Sequence, residues 1–231
     1  MRRLNVLIFL FLLLVGCRST PFGGQTIIDW VDFIKWDGIE YNGIHSGVLA
    51  DEKFIGEKLG EVKFKVADNV TNPGYKTKDG DAAFHEKGTE IYKIKGNPDL
   101  LALKDKSAIH GYRVYYAIDE NEYRWHFKNV PIEKVNVIEI HQAYTPIKKI
   151  TEFKDIDEVN TLLKILNNGK GNSNFQPDTS KGDPTYYEII LYTDDPIAYK
   201  YDIQFDGTTY FWHPWETSIL PNEIGAFIPE H

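Results

Sequence analysis

The sequence predicts an α+β fold dominated by strands, with a β-rich N-terminal part and a C-terminal antiparallel sheet carrying one amphipathic helix. Three observations lead there. Short apolar runs alternate with polar residues and are punctuated by Gly, Asp and Asn turn signals along most of the chain. Only residues 155–167 carry a sustained helical period. The 231 residues are 42% apolar and 14% aromatic, enough to build real cores.

In chain order, Val31–Trp36, Asp37-Gly38 and Ile39–Tyr41 read as a hairpin, because Asp-Gly suits a turn with positive φ at both central residues. Asn42-Gly43 follows at once, so one of the two pairs is a bulge or a longer loop. Val62, Phe64 and Val66 alternate with Lys63 and Lys65, which buries one face of a strand and wets the other. Residues 68–80 have loop composition. Ala82–Phe84, a turn at Glu86–Gly88 and Thr89–Ile94 read as a second hairpin. Leu100–Leu103 is a short apolar strand, and Tyr112–Ile118 with Tyr123–Phe127 reads as a third hairpin. Short strands at this spacing suggest a small barrel or a sandwich over residues 27–129.

Past Asn129-Val-Pro131 the texture changes, and residues 130–231 are expected to form an α+β domain. Val135–Ile140 is a strand. On 155–167, Asp155 is placed to cap, Ile156, Val159, Leu162, Leu163 and Leu166 share one face, and Gly169 suits a left-handed stop. A polar loop spans 168–184. Strands follow at Tyr186–Thr193, Ala198–Phe205 and Thr208–Trp212, and Pro221 is placed to open a short last helix, 221–228.

The first 26 residues read differently. Arg2 and Arg3 precede the ten apolar residues Val6–Val15, too few for a permanent membrane span, which takes roughly 20. Charge, short apolar core and small residue in that order mark an export signal. Leu14-Val15-Gly16-Cys17 resembles the lipobox of bacterial lipoproteins. The resemblance implies cleavage after Gly16, removal of 1–16 as a signal peptide, and diacylglyceryl and palmitate attachment at Cys17. Two acyl chains anchor stably where one does not. Residues 17–26 then form a lipidated tether, and the protein faces outside the cytoplasm from the cell membrane. Leu59–Val66, with Asp79-Gly80-Asp81, Glu86–Thr89 and Ile91–Ile94, resembles a group of uncharacterised lipoproteins of spore-forming Gram-positive bacteria. That likeness covers about a third of the chain and implies location alone.

Removing 1–16 from 231 leaves 215 residues and takes the formal net charge from −8 to −10, since Arg2 and Arg3 leave with it. That balance argues against nucleic acid and against electrostatic binding to anionic lipid or wall polymers. The single Met is Met1 and the single Cys is Cys17. The body therefore has no disulfide, Cys nucleophile or Cys-zinc site.

No pair among the seven histidines has the i, i+4 spacing of a zinc-protease helix. Asp79-Gly80-Asp81 is a fragment of a calcium loop lacking its distal Glu. Asp194-Asp195-Pro196, or Asp202 with Asp206, could supply ligands, though a hairpin turn and a strand face are the plainer readings. No nucleophile elbow, Ser-x-x-Lys or phosphate loop occurs. Neither a metal nor another cofactor is expected, and no catalytic residue is assigned. The densest aromatic stretch, Tyr210, Trp212, His213 and Trp215, is the candidate ligand surface; the plainer reading puts one of its faces in the core. The expected function is a lipid-anchored extracytoplasmic protein, non-catalytic, binding or structural, with a cell-wall ligand or an envelope protein as partner. The alternative is a cell-envelope hydrolase with a site assembled from dispersed Asp, Glu and His.

Overall fold

The computed structural model describes residues 28–117, 127–143, 147–213 and 218–228, with only the backbone of His213. The signal segment, Cys17, the tether, the turn and second strand of the third hairpin, and Trp215 lie outside these residues. Among the described residues the fold is α+β and strand-dominated, with two sheets and one α-helix.

The first sheet draws on β1 (Phe33–Trp36), β2 (Ile39–Gly43), β4 (Ile55–Glu61), β5 (Phe64–Lys65), β6 (Asp81–Ala82), β7 (Glu90–Ile94), β8 (Asn97–Lys104) and β9 (Tyr112–Ala117). Asp37 and Gly38 connect β1 to β2 at φ 52° and 77°, the paired positive values that the Asp-Gly signal implies. Asn42 and Gly43 lie inside β2 and pair with β9. The expected second hairpin does not form. β6 pairs with β1 and β5, whereas β7 pairs with β4 and β8. The turn that carries β7 back sits at Lys95-Gly96, where Gly96 has φ 79°.

The sheet order β4-β7-β8-β9-β2-β1-β6-β5 begins and ends on one continuous run of chain, 55–65. Val62 N–H donates to Thr89 O on one flank, and Lys63 N–H donates to Gly80 O on the other. The sheet therefore closes into a small barrel, which removes its edges. Ile34, Tyr41, Val62, Ile91, Leu101, Leu103 and Tyr115 fill the interior. Leu100, Ala102 and Val114 point outward, yet they too are buried, under Ile44, Leu49 and Ile197. Burial on both faces explains why Leu100–Leu103 is an unbroken apolar run rather than an alternating one.

The second sheet has the order β11-β10-β13-β14-β15-β16-β12, from β10 (Val137–Gln142), β11 (Lys148–Phe153), β12 (Lys170–Gly171), β13 (Thr185–Tyr192), β14 (Ile197–Phe205), β15 (Tyr210–His213) and β16 (Ser218–Ile219). It also takes a strand from early in the chain: β3 (Gly47–Leu49) pairs with Ile197–Tyr199 of β14. Ile44 N–H donates to Val114 O of the barrel, and Lys200 N–H donates to Ser46 O. This short strand thus stitches the barrel to the sheet.

The helix α1 (Ile156–Asn167) starts as its sequence requires. The Asp155 carboxylate accepts from the N–H groups of Asp157 and Glu158 at 3.0 and 3.1 Å. Val159, Leu162, Leu163 and Leu166 are buried on one sheet face against Ile138, Ile140, Ile189, Leu191 and Ile203. Ile156, expected on the same face, lies in the first turn and is 56% exposed. Gly169 is not left-handed; Asn168 ends the helix at φ −89°. Space does not require the glycine either: a Cβ there would lie at ordinary contact distance, 3.4 Å from Leu220 and 3.5 Å from the Trp212 indole nitrogen. Past Pro221 the chain forms a 3-10 turn, Asn222–Phe227, rather than an α-helix.

Candidate functional site

Alternation along the second sheet assigns its two faces opposite tasks. On β10, Ile138 and Ile140 point to α1, so Glu139 and His141 point away. On β13, Tyr187, Ile189 and Leu191 point to α1, so Tyr186, Glu188, Ile190 and Tyr192 point away. On β14, Lys200 and Asp202 join the second set. This second face meets the barrel. At one end Ile190, Tyr192 and Ala198 seal onto Val48 and Ile109. At the other end the residues are polar, and the two bodies part to leave a cleft.

The cleft holds two adjoining cavities of about 360 and 480 Å³, within the usual size of small-ligand sites. The loop between β8 and β9 forms their common wall, and Ser107, Ile109 and Arg113 line both. Asp105 sets that loop. Its carboxylate accepts from Ser107 N–H at 2.9 Å, Ser107 Oγ at 2.6 Å and Arg113 Nε at 2.6 Å. Burial works to raise the Asp105 carboxyl, but these donors outweigh it and hold it at about 2. The loop returns through His110 and Gly111, left-handed at φ 55° and 75°.

In the first cavity, Glu188 of β13 and Asp202 of β14 occupy directly opposed positions. Lys200 Nζ donates to Glu188 Oε1 at 2.9 Å, and Tyr186 OH donates to Asp202 Oδ2 at 3.0 Å. Burial, then the nearby Asp202 carboxylate, pushes the Tyr186 hydroxyl up. Glu188 is 9% exposed, and its Oε2 is buried with no hydrogen-bond partner among the described residues. The barrel contributes Asp32 and Arg113. Gly43 lets Asp32 lie across the backbone, since a Cβ there would fall 2.6 Å from Asp32 Oδ2. Asp32 accepts from Tyr115 OH at 3.0 Å, and Tyr115 OH lies 2.6 Å from His85 Nε2. With its own proton committed to Asp32, Tyr115 accepts from His85.

In the second cavity Glu139 is the hub. Oε2 meets His141 Nε2 at 2.8 Å and Tyr192 OH at 2.9 Å, and Oε1 meets Lys149 Nζ at 2.9 Å. Burial alone raises the carboxyl, but the three donors overcome it and hold Glu139 at about 2. His110 Nε2 lies 3.0 Å from Tyr192 OH, which ties the loop to the sheet.

Of the aromatic stretch, Tyr210 and Trp212 do not line this cleft. Tyr210 and Trp212 are buried on the α1 side, Tyr210 stacked on Phe205 at 4.2 Å and Trp212 packed on Phe127 at 5.3 Å. Their register opposite Phe205 and Ile203 puts them on the helix-facing side of the sheet, so the expected stacking platform is corrected for these two. The His213 side chain and Trp215 lie outside the description. Asp79 and Asp81 do not converge on an ion. Asp79 accepts from Gly38 N–H, and Asp81 accepts from Tyr75 OH and Lys78 N–H. Asp206 closes its own turn through Thr208 and Thr209, apart from Asp202. No set of three or more metal-ligating side chains occurs among the described residues.

The cleft residues carry a sequence signal that is weak but real: Glu139, His141 and Glu188 are polar residues inside otherwise apolar strands. Nothing in the sequence says that β10, β13 and β14 lie side by side. Comparison of the chain with protein-family models, with curated proteins and with solved structures finds no match.

Proposed function

We propose that this protein is a lipid-anchored extracytoplasmic binding protein whose cleft, between barrel and second sheet, takes a small polar ligand. The lipobox-like Leu14–Cys17 supports the anchor. Among the described residues no helix is long and apolar enough to cross a membrane. The observation that carries the binding role is the polar half-face of the second sheet, turned onto a cavity with a buried acceptor, Glu188 Oε2. Buried polar atoms normally find partners, and an unpartnered acceptor on a residue that lines a cavity suits a ligand donor.

Hydrolysis is the second reading, because Glu188 and Asp202 oppose each other across one strand pair. Each carboxylate, however, already receives a donated hydrogen bond, whereas a general acid has to present a proton of its own. Binding is therefore the better supported role.

Two measurements test the reading. Cys17→Ser is expected to abolish incorporation of radiolabelled fatty acid and to leave the precursor uncut; equal labelling of the variant removes the anchor. For the cleft, the full chain is screened by thermal shift against amino acids, short peptides, sugars and phosphate esters. At least one class should raise Tm. Ser107→Trp, an exposed position on both cavities, should erase that rise. No rise with any class, or a rise untouched by Ser107→Trp, overturns the binding role.

A further inference from the structure

We infer that the first cavity takes a small zwitterion, its ammonium on Glu188 and its anionic group on Arg113. This rests on the reading of the cleft as a binding site and deepens it.

The charges on the cavity wall decide the class. A simple anion meets Asp32, Glu188 and Asp202, all lining the same space. A simple cation meets Lys200 and the Arg113 guanidinium. Both walls carry both signs: the sheet presents Asp202 and Glu188, with Lys200 already bound to Glu188 Oε1, and the barrel presents Asp32 and Arg113. Each anchoring group keeps capacity for a ligand. Glu188 lines the cavity, and its Oε2 is buried with no partner among the described residues. Only an N–H or O–H donor satisfies it, and a charged donor does so best. Arg113 spends its Nε on Asp105, which fixes the fork, and neither Nη group has a protein partner among the described residues. A planar pair of N–H donors held in place matches a carboxylate or a phosphate. A molecule with an ammonium at one end and an anion at the other satisfies both walls at once. Amino acids and short peptides have this chemistry, and so do phosphoethanolamine headgroups.

Isothermal titration of the full chain in detergent distinguishes the cases. The probes are trialanine, N-acetyl-trialanine, trialanine amide and phosphoethanolamine. Trialanine or phosphoethanolamine should bind, and the one that does names the source. If trialanine binds, acetylation and amidation should each weaken it tenfold or more. If phosphoethanolamine binds, ethanolamine and inorganic phosphate should each be tenfold weaker. Glu188→Gln should remove the preference for a free ammonium, and Arg113→Gln, at an exposed side chain, the preference for the free anion. Should Glu188→Gln fail to fold, the contrast between free and blocked probes on the unaltered protein still decides. Blocked probes that bind equally well overturn the inference, as does the failure of both zwitterions. If another class in the thermal-shift screen binds and is lost in Ser107→Trp, the inference alone fails. If no class binds, the cleft reading fails with it.

Discussion

Replacing Leu163 by alanine is expected to lower the free energy of unfolding by about 2–5 kcal/mol, the range for a large aliphatic side chain removed from a packed site. Leu163 is 4% exposed and belongs to the cluster joining α1 to the second sheet. Val159, Leu162 and Leu166 hold the helix on either side, so the neighbours cannot collapse fully into the space left behind. Urea denaturation followed by circular dichroism measures the change. A loss under about 0.5 kcal/mol would show that α1 contributes little to the core, contrary to its burial.

The second large effect concerns Glu139. Removing its carboxylate in Glu139→Ala leaves His141 without this acceptor and Tyr192 with His110 Nε2 as its remaining partner, while Lys149, 47% exposed, turns to water. At about 1–3 kcal/mol for one buried group left stranded, the variant should lose about 1–3 kcal/mol. The pH dependence gives an independent check. The folded value of Glu139, about 2, lies below its ordinary 4.5. The stability it contributes is therefore present above pH 4.5 and drains as the pH falls towards 2. Between those limits the unaltered protein should lose stability more steeply than Glu139→Gln, which has no carboxylate to protonate. Parallel slopes in denaturation at pH 5, 4 and 3 would place the ionisation elsewhere.

What the sequence disclosed follows from the range of the interactions involved. The Asp37-Gly38 turn and the Asp155 cap are local events, governed by φ and by carboxylate reach, and both appear where the residues imply them. The alternation of β10 and β13 is local as well, so it sorts residues into two faces before any partner is known. The pairing of strands is not local. Ala82–Phe84 looks like the arm of a hairpin, yet Asp81-Ala82 lies parallel to Phe64-Lys65 and helps close the barrel. Gly47–Leu49 is too short to announce itself as a strand, and its partner lies about 150 residues away. The cleft depends on these distant pairings, so Glu188 and Arg113 gave no sign of sharing one space. Tyr210 and Trp212 attracted notice through density of aromatic rings, a property that cores and binding surfaces share. Their register opposite Ile203 and Phe205 decides for the core.

The strand Gly47–Leu49 has one more consequence. Its chain is bonded on one side to Val114 of the barrel and on the other to β14, with Ala50 N–H donating to Pro196 O at its far end. The two walls of the cleft are thus sewn together along a seam rather than joined by a swivel. Opening them means breaking backbone hydrogen bonds and uncovering Leu49, which is wholly buried. A guest consequently finds a mould already cast: little conformational freedom is surrendered on docking, and discrimination rests on shape and charge at first contact. Under the proposed anchoring at a membrane surface, such a cleft would act as a fixed gauge of what passes by, its response set by concentration outside and not by any clasping movement of its own.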